Sequence, residues 1–324
     1  MRKLFSGEAL IKIYTYRDLR DLDYLDSACR IHNISFPYDN VECEIFRSFV
    51  LGDENLSEEA IYFAISENRV LGFLIGVEIS REPVEAIDKY RDTIFVKDLA
   101  ADPRISTDDW RRVLVTMLRE FEELAKSRGK KAMILYAYAP YYFMPGINIF
   151  YEDYLELFES LGYSKKSETV SYEINLERFY YLRRVSRIED KLRSDGVVFR
   201  RAEGNEAERV SKWVGERFGP FWRLESLYAF RHKPPSIWVA EQSGELVGFS
   251  VYLRMGRNEF GPIGVDPGKR GSGIGTVLMF KSLYDLKQLG YRYAVIPWTS
   301  HLFFYTQVPG IERIKHYYIM SKTI

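Results

Sequence analysis

The chain has 324 residues, and its 46 Lys and Arg residues are matched by 46 Asp and Glu residues, so its formal net charge is zero. This length predicts about two domains. The balanced charge provides no long-range attraction to nucleic acid or to an anionic membrane, and no apolar run reaches the length of a membrane span. We therefore expect neither a nucleic-acid nor a membrane partner.

Cysteine and histidine usage narrows the class further. Cys29 and Cys43 are too few for a disulfide framework, and the four histidines have no metal-ligand spacing, so we expect no metal site. Residues 1–8 lack the apolar core and the cleavage site of a secretory signal. These features predict a reducing, cytoplasmic setting.

Apolar periodicity predicts alternating strands and helices in the first half of the chain. In chain order, these are a strand at 11–16, helices at 19–32 and 41–50, a hairpin at 61–79, an insertion at 81–91, a strand at 93–99, a helix at 108–126, a strand at 132–138, a loop at 140–145, a helix at 151–161 and a strand at 169–174. A charged periodic segment at 177–194 predicts a connecting helix.

The second half repeats this plan. Its predicted elements are a strand at 197–200, helices at 205–218 and 221–230, a hairpin at 237–249, a strand ending at 265, a helix at 273–289, a strand at 291–297, a short helix at 302–307 and a strand at 316–322. Asp102-Pro103 and Asp266-Pro267 are each followed ten residues later by Val-Leu within a helix. The repeat predicts an α/β fold of two domains, 1–176 and 195–324, each a mixed sheet flanked by helices.

A turn rich in small residues follows the strand that ends at Val265. Its residues are Lys269, Arg270, Gly271, Ser272, Gly273, Ile274 and Gly275. The absence of bulky side chains exposes backbone N–H groups at a helix N-terminus, so the turn predicts a phosphate site with positive charge at its rim. A Walker loop would need Ser or Thr after Gly-Lys, and a dinucleotide fingerprint would need a third glycine where Thr276 stands.

The order Arg270-x-x-Gly273-x-Gly275, after a strand ending in Val265-x-Pro267, resembles motif A of the GCN5-related N-acetyltransferase (GNAT) family. The resemblance covers both halves, although only the second half has a complete motif. It implies mostly antiparallel central sheets, acetyl-coenzyme A as co-substrate without a metal, and transfer of the acetyl group to a primary amine. The acceptor would be a small molecule or a peptide, and the oligomeric state is left open.

The resemblance also implies roles for residues around the motif. Backbone groups of Ile263, Gly264 and Val265 would bind the pantetheine arm and the thioester carbonyl, on a strand bulged at Gly261-Pro262. The family places a catalytic base at the position of Glu259, which could equally be a solvated carboxylate at a hairpin tip. It places a general acid at the position of Tyr305, which could instead be a core residue.

The corresponding loop of the first half has the opposite charge. Alignment on the Asp-Pro pairs sets Ser106 against Arg270 and Asp109 against Gly273, with Thr107 as the expected helix cap. A pyrophosphate bound there would be repelled by these carboxylates, at a cost of about 1 to 4 kcal/mol for each like-charge pair. We therefore predict that the first domain binds no coenzyme and is structural or substrate-shaping. A non-catalytic acyl-coenzyme A-binding regulator is the alternative function for the chain.

Overall fold

The computed structural model describes residues 3–5 and 10–324, with side chains from residue 11 onward. The chain divides into two compact units, Met1–Thr169 with Tyr317–Ile324, and Val170–His316. The first unit is discontinuous in sequence because the last strand of the chain ends in it, whereas the expected boundaries at 176 and 195 divide the chain into contiguous parts. Part of the 1–8 stretch assessed for a secretory signal lies outside the described residues.

The first unit is a mixed sheet with helices. Its elements are β1 (Lys3–Phe5), β2 (Leu10–Thr15), α1 (Tyr16–Leu19), α2 (Leu22–Ser35), α3 (Cys43–Leu51), β3 (Leu56–Ser66), β4 (Arg69–Val77), α4 (Val84–Ile87), β5 (Thr93–Ala101), α5 (Thr107–Ser127), β6 (Ala132–Leu135), β7 (Ile147–Asn148), α6 (Glu152–Ser160) and the start of β8 (Ser164–Asn175). Strands β1 to β5 pair antiparallel in sequence order, and β5 pairs parallel with β6.

The second unit repeats the plan from the end of β8. Its elements are α7 (Arg183–Ser194), β9 (Val197–Arg201), α8 (Ala207–Phe218), α9 (Pro220–Ala229), β10 (Ile237–Gln242), β11 (Glu245–Tyr252), β12 (Phe260–Val265), α10 (Ile274–Gln288), β13 (Tyr293–Thr299), α11 (Leu302–Tyr305) and the start of β14 (Ile311–Thr323). An antiparallel sheet runs in the order β12-β11-β10-β9, and β13 pairs antiparallel with β8. The predicted α/β class, with mostly antiparallel mixed sheets flanked by helices, is confirmed.

Helices cover both faces of the four-stranded sheet in the second unit. One core cluster joins α7 and α10 to the sheet through buried residues such as Leu192, Val277 and Phe280. A second cluster joins α8 and α9 to the opposite face through Val210 and Val214. The predicted connecting helix at 177–194 is therefore α7, which is part of the core of the second unit.

Several predicted boundaries differ from the structure, three of them for local reasons. The helix predicted from residue 19 begins at Leu22, because Arg20 adopts a left-handed conformation with φ of 46° that separates α2 from the short helix α1. The strand predicted at 132–138 ends at Leu135, because Tyr136 has φ of 59°. The last strand begins at Ile311 instead of 316. Exposed charged side chains among its first residues hide the strand pattern there.

Every helix in the described part of the chain falls short of the length or apolarity that a membrane crossing requires.

A disulfide joins Cys29 on α2 to Cys43 at the start of α3, across a sequence separation of 14 residues. Two cysteines are too few for a framework of several disulfides, as the sequence predicts. The structure has this one bridge. We expect reduction to lower the free energy of unfolding by about 3 kcal/mol, because the bridge restricts a loop of this length in the unfolded chain. Urea denaturation with and without dithiothreitol measures the difference.

The variant Cys43→Ala is the control for this experiment. Its free energy of unfolding should not change on addition of dithiothreitol and should match that of the reduced wild-type protein. Equal stability of oxidised and reduced wild-type protein would contradict the prediction.

Candidate functional site

The second unit contains an opening between two neighbouring strands. A parallel bridge joins Glu259, just before β12, to Val295 on β13, and the N–H of Val295 donates to the carbonyl of Asn258 at 3.0 Å. Beyond this bridge, no ladder pairs β12 with β13 in the described residues. The strands therefore meet at one end, here named the vertex, and leave backbone groups of β12 unpaired along the opening.

Backbone direction on β12 follows from its pairing with β11. The N–H of Asp266 donates to the carbonyl of Val247 at 2.9 Å, and Gly264 is opposite Phe249 in the same register. Because N–H groups alternate in direction along a strand, those of Ile263 and Val265 point away from β11 and into the opening. The structure thus presents two backbone donors at the predicted thioester position.

A bulge precedes these donors, as the sequence predicts. Ser250 pairs with Ile263 and Tyr252 with Phe260, so Gly261 and Pro262 together face the single residue Val251. Gly261 has φ of 116°, a conformation that favours glycine. The extra residue breaks the ladder at the start of the opening.

The glycine-rich turn leads from β12 into the N-terminus of α10. Gly273 is the N-cap with φ of 98°, and Gly271 has φ of 79°. The cap has no side chain to accept hydrogen bonds, so the N–H groups of the first turn of α10, including those of Ile274 and Gly275, are left for another acceptor. Together with the helix dipole, these donors form an anion site.

Side chains in the turn add positive charge and hold its shape. Lys269 and Arg270 are exposed, and Nε of Arg270 lies 3.3 Å from the carbonyl of Val265. The hydroxyl of Ser272 donates to the carbonyl of Lys269 at 2.7 Å, and Asp266 accepts from the N–H of Gly268 at 2.9 Å. The one carboxylate of the turn is thus used within it.

Glu259 lies in a buried ion-pair cluster at the vertex. Its exposed fraction is 2 %, and its two oxygens accept from Nη1 of Arg254 at 2.8 Å and from Nε of Arg257 at 3.0 Å. Arg254 also contacts Glu225 of α9, with Nε to Oε1 at 2.7 Å. Burial raises the pKa of Glu225, and the charge of Arg254 opposes that rise. Glu259 is therefore not the solvated hairpin carboxylate of the alternative interpretation.

The turn that carries Arg254 is strained. Leu253 and Met255 have φ of 54° and 50°, values that non-glycine residues adopt at a cost of about 1 kcal/mol or more each. Arg254 between them is 2 % exposed. The ion pairs with the two glutamates hold the turn against the vertex.

Tyr305 is buried at the end of α11. Its ring packs against Phe260 with centroids 6.4 Å apart and against Tyr172 at 5.8 Å. Burial raises the pKa of Tyr305 to about 12, although a hydrogen bond with Thr299 opposes the rise. The phenol therefore retains its proton throughout the neutral range.

Glu259 and Tyr305 approach the vertex from opposite faces. Tyr305 packs on Phe260, whose core cluster includes α10, whereas Glu259 joins α9 through Arg254 and Glu225. Adjacent residues of an extended strand point to opposite faces, which places the two groups on either side of the opening. A molecule held between the strands would have a carboxylate on one side and a phenol on the other.

Sequence reasoning missed the pairing of Glu225 with Arg254. Glu225 lies in a helix whose aromatic and charged residues resemble ordinary packing, and Arg254 lies in a predicted turn. Their pairing joins residues 29 positions apart, and no local pattern reports it.

The corresponding loop in the first unit is closed by its own side chains. The hydroxyl of Ser106 accepts from the N–H of Asp109 at 3.1 Å, so Ser106 is the N-cap of α5 and the prediction of Thr107 was wrong. A hydrogen bond from Ser106 lowers the pKa of Asp109, which keeps that carboxylate ionised. The loop therefore places a carboxylate, itself paired with Arg112, where the second unit presents free N–H groups.

The bulge is repeated in the first unit, but with different residues. Lys97 is the extra residue on β5, and it is fully buried with its Nζ 2.7 Å from Oδ2 of Asp53. Beside it, Nδ1 of His32 lies 2.8 Å from Asp98. Burial lowers the pKa of His32, but the charge and hydrogen bond of Asp98 outweigh that effect and raise it above its usual value. Buried ion pairs thus surround the bulge of the first unit.

Comparisons with known proteins agree with this geometry. Residues 207–301 match the acetyltransferase (GNAT) family. No curated protein sequence matches the chain significantly. The fold is similar to a GCN5-related glucosamine N-acetyltransferase region in a fungal multi-domain GH3 β-N-acetylglucosaminidase, with a TM-score of 0.76 and 16 % identity over 97 % of this chain and 38 % of that one. The chain thus spans well under half of that protein.

Two further structures are similar over nearly their whole length. A GCN5-related N-acetyltransferase from Sphaerobacter thermophilus has a TM-score of 0.66 and 15 % identity over 99 % of this chain and 97 % of that one. A tandem GNAT protein from the clavulanic acid biosynthesis pathway has a TM-score of 0.61 and 12 % identity over 97 % and 98 %. At these identities the likeness establishes the fold, and it agrees with the tandem arrangement that the internal repeat predicts.

Proposed function

We propose, from the match of residues 207–301 to the acetyltransferase (GNAT) family, that the second unit transfers an acetyl group from acetyl-coenzyme A to a primary amine. The observation that carries the proposal is the conjunction of unpaired N–H groups at the start of α10 with unpaired N–H groups on β12. The first set suits a pyrophosphate and the second a thioester carbonyl. Both lie along one opening within the second unit.

In this proposal, the chain binds the co-substrate through the turn and the bulged strand. N–H groups from Gly271 to Gly275 bind the pyrophosphate, and Lys269 and Arg270 add positive charge. Backbone groups from Ile263 to Val265 bind the pantetheine arm. The co-substrate supplies the activated acetyl group.

The N–H of Val265 is the proposed donor to the thioester oxygen, where negative charge develops during attack. It points into the opening at the predicted position, and a fixed backbone donor needs no reorganisation at the moment of reaction. Tyr305 is the proposed acid that protonates the departing thiolate. Its raised pKa keeps the phenol protonated at neutral pH, so a proton is present to donate.

Glu259 is the proposed base that receives the proton of the acceptor amine. It lies at the vertex on the face opposite Tyr305. The amine would therefore attack from one side of the acetyl group and the thiolate would depart on the other. Both of its oxygens are paired with arginines and its side chain is 3 % exposed, so we propose that one pair opens to admit the amine. Arg257 is the more exposed partner, with 17 % side-chain exposure against 3 % for Arg254, and we assign the opening to it.

The first unit is proposed to be structural or substrate-shaping. The self-capped helix at Ser106 and the carboxylate of Asp109 disfavour a pyrophosphate, and the buried pair of Lys97 with Asp53 fills the position of the bulge. The expected division at 1–176 and 195–324 remains the proposed functional division, with the acceptor a small molecule or a peptide.

The test is release of free thiol from acetyl-coenzyme A on addition of a panel of amines. We expect turnover by the wild-type protein and a loss of about 100-fold or more in kcat for Glu259→Gln, because general base catalysis is worth at least that much. Glu225→Gln is the matched control, since it removes a carboxylate from the same arginine cluster away from the vertex. Both variants should lose similar stability in urea denaturation, while only the first loses turnover.

Equal kcat losses in the two variants would contradict the assignment of Glu259 as base and leave it a structural member of the cluster. The competing function is a non-catalytic acyl-coenzyme A-binding regulator, which the exposed anion site at α10 also suits. Thermal stabilisation of the wild-type protein by acetyl-coenzyme A, with no thiol release on any amine, would favour that function.

A further inference from the structure

Helix α7 docks beside the N-terminus of α10. A Cβ atom added to Gly273 would lie 2.5 Å from Cγ2 of Ile188, so only glycine permits this approach. Val185 and Leu192 on the same side of α7 are buried in the core of the second unit. The helix predicted as a connection therefore forms a wall of the proposed pyrophosphate site.

Three exposed cations follow the flank of α7 next to Ile188. Arg184, Arg187 and Lys191 recur at spacings of three and four residues, which places them along one side of a helix. Ile188 is one position from Arg187 and four from Arg184, so this flank borders the contact with Gly273. The three charged side chains thus lie beside the glycine-rich turn and are exposed to solvent.

A second set of contacts places the same flank near the first turn of α10. Nη2 of Arg184 lies 3.4 Å from the side-chain oxygen of Gln307, and Nε2 of Gln307 donates to the carbonyl of Phe304 at 2.7 Å. The ring of Phe304 lies 3.5 Å from where a Cβ on Gly275 would be. Arg184 is therefore linked to the first turn of α10 through Gln307 and Phe304, while Ile188 on the same helix contacts Gly273.

The acids of α7 leave this flank with an excess of positive charge. Glu189 is paired with Lys281 at 2.9 Å and with Arg193 at 2.7 Å on the other flank. Asp190 lies two positions beyond Ile188 and three beyond Arg187, so it borders the flank and offsets at most one of its three charges. The flank that carries Arg184 and Arg187 thus keeps a net positive charge.

We propose that Arg184 and Arg187 bind the 3′-phosphate of coenzyme A, so that α7 reads the adenosine end of the co-substrate. This inference rests on the proposed function. A ligand with its thioester at β12 and its pyrophosphate at the turn must extend its adenosine end beyond the turn. The exposed guanidinium groups of α7 lie beside the turn, and guanidinium is the side chain best suited to bidentate contact with phosphate.

Calorimetric titration with coenzyme A and with 3′-dephospho-coenzyme A tests the inference, because the two ligands differ only in that phosphate. We expect the wild-type protein to bind coenzyme A about tenfold more tightly, which corresponds to two exposed charge-assisted contacts. In the Arg184→Ala/Arg187→Ala variant, affinity for coenzyme A should fall about tenfold to that of the dephospho ligand, whose own affinity is unchanged. Arg193→Ala, which removes an exposed arginine from the other flank of α7, should behave as wild type.

Equal affinity of the wild-type protein for the two ligands would overturn the inference while leaving the proposed function intact. An equal loss for both ligands in the double variant would also overturn it, since that pattern indicates general attraction to the pyrophosphate. Failure of the wild-type protein to bind either ligand would overturn the proposed function and this inference with it.

Discussion

Gly271→Asp is expected to weaken binding of acetyl-coenzyme A by about 100-fold, since a carboxylate close to a pyrophosphate costs about 3 kcal/mol at a protein surface. The change gives the second unit the negative charge that Asp109 gives the corresponding loop of the first. Gly271 suits the experiment because a Cβ there would meet nothing within 4 Å, whereas one at Gly273 would meet Ile188. Calorimetric titration measures the affinity.

Gly271→Asn separates charge from backbone conformation. Asn and Asp are the non-glycine residues that best tolerate φ near the 79° of Gly271, and they are almost equal in size. The Asn variant should therefore keep most of the affinity. Similar losses in the two variants would indicate backbone strain, and full affinity in the Asp variant would argue against a pyrophosphate at this turn.

Tyr305→Phe is expected to lower kcat by about 100-fold while leaving the affinity for acetyl-coenzyme A unchanged, because only the proton donor is removed. The Phe ring can retain the packing against Phe260 and Tyr172. Since the pKa of Tyr305 is raised to about 12, its protonated form predominates over the neutral range, and its contribution to the rate should not change there with pH. Steady-state kinetics from pH 6 to about 9 checks both expectations.

Tyr172→Phe provides the control for loss of a nearby buried hydroxyl. The hydroxyl of Tyr172 donates to the carbonyl of Leu302 at 2.7 Å, so its removal should cost about 1 kcal/mol of stability with little effect on kcat. A Tyr305→Phe variant with wild-type kcat would contradict the role of acid and leave Tyr305 a core residue.

Local features of the fold and of the site could be predicted from sequence. The turn at Gly271 to Gly275 predicts an anion site because small residues and a following helix are sufficient to expose N–H groups there. The bulge at Gly261-Pro262 follows in the same way from residues that disfavour a ladder. The reversed charge of the first loop was also visible in sequence, although its cap is Ser106 and not Thr107.

Predictions failed where a boundary depended on a single backbone conformation. The left-handed residue Tyr136 ends a strand that the apolar pattern continues, and the left-handed residue Arg20 delays the start of the predicted helix to Leu22. The first residues of β14 are exposed and charged, so they show no alternation of apolar side chains. That strand is defined by its backbone hydrogen bonds to neighbouring strands, and those bonds leave no pattern in its own sequence.

By itself, the sequence determined the alternation of strands and helices, the internal repeat and the glycine-rich turn, because each depends on residues within a few positions of one another. Only the tertiary structure decided that Glu259 is paired with Arg254 and Arg257, that α7 borders the turn, and that Cys29 is bonded to Cys43. These contacts join side chains on separate elements. Which partners meet depends on how the whole chain packs, and no local pattern of residues encodes that choice.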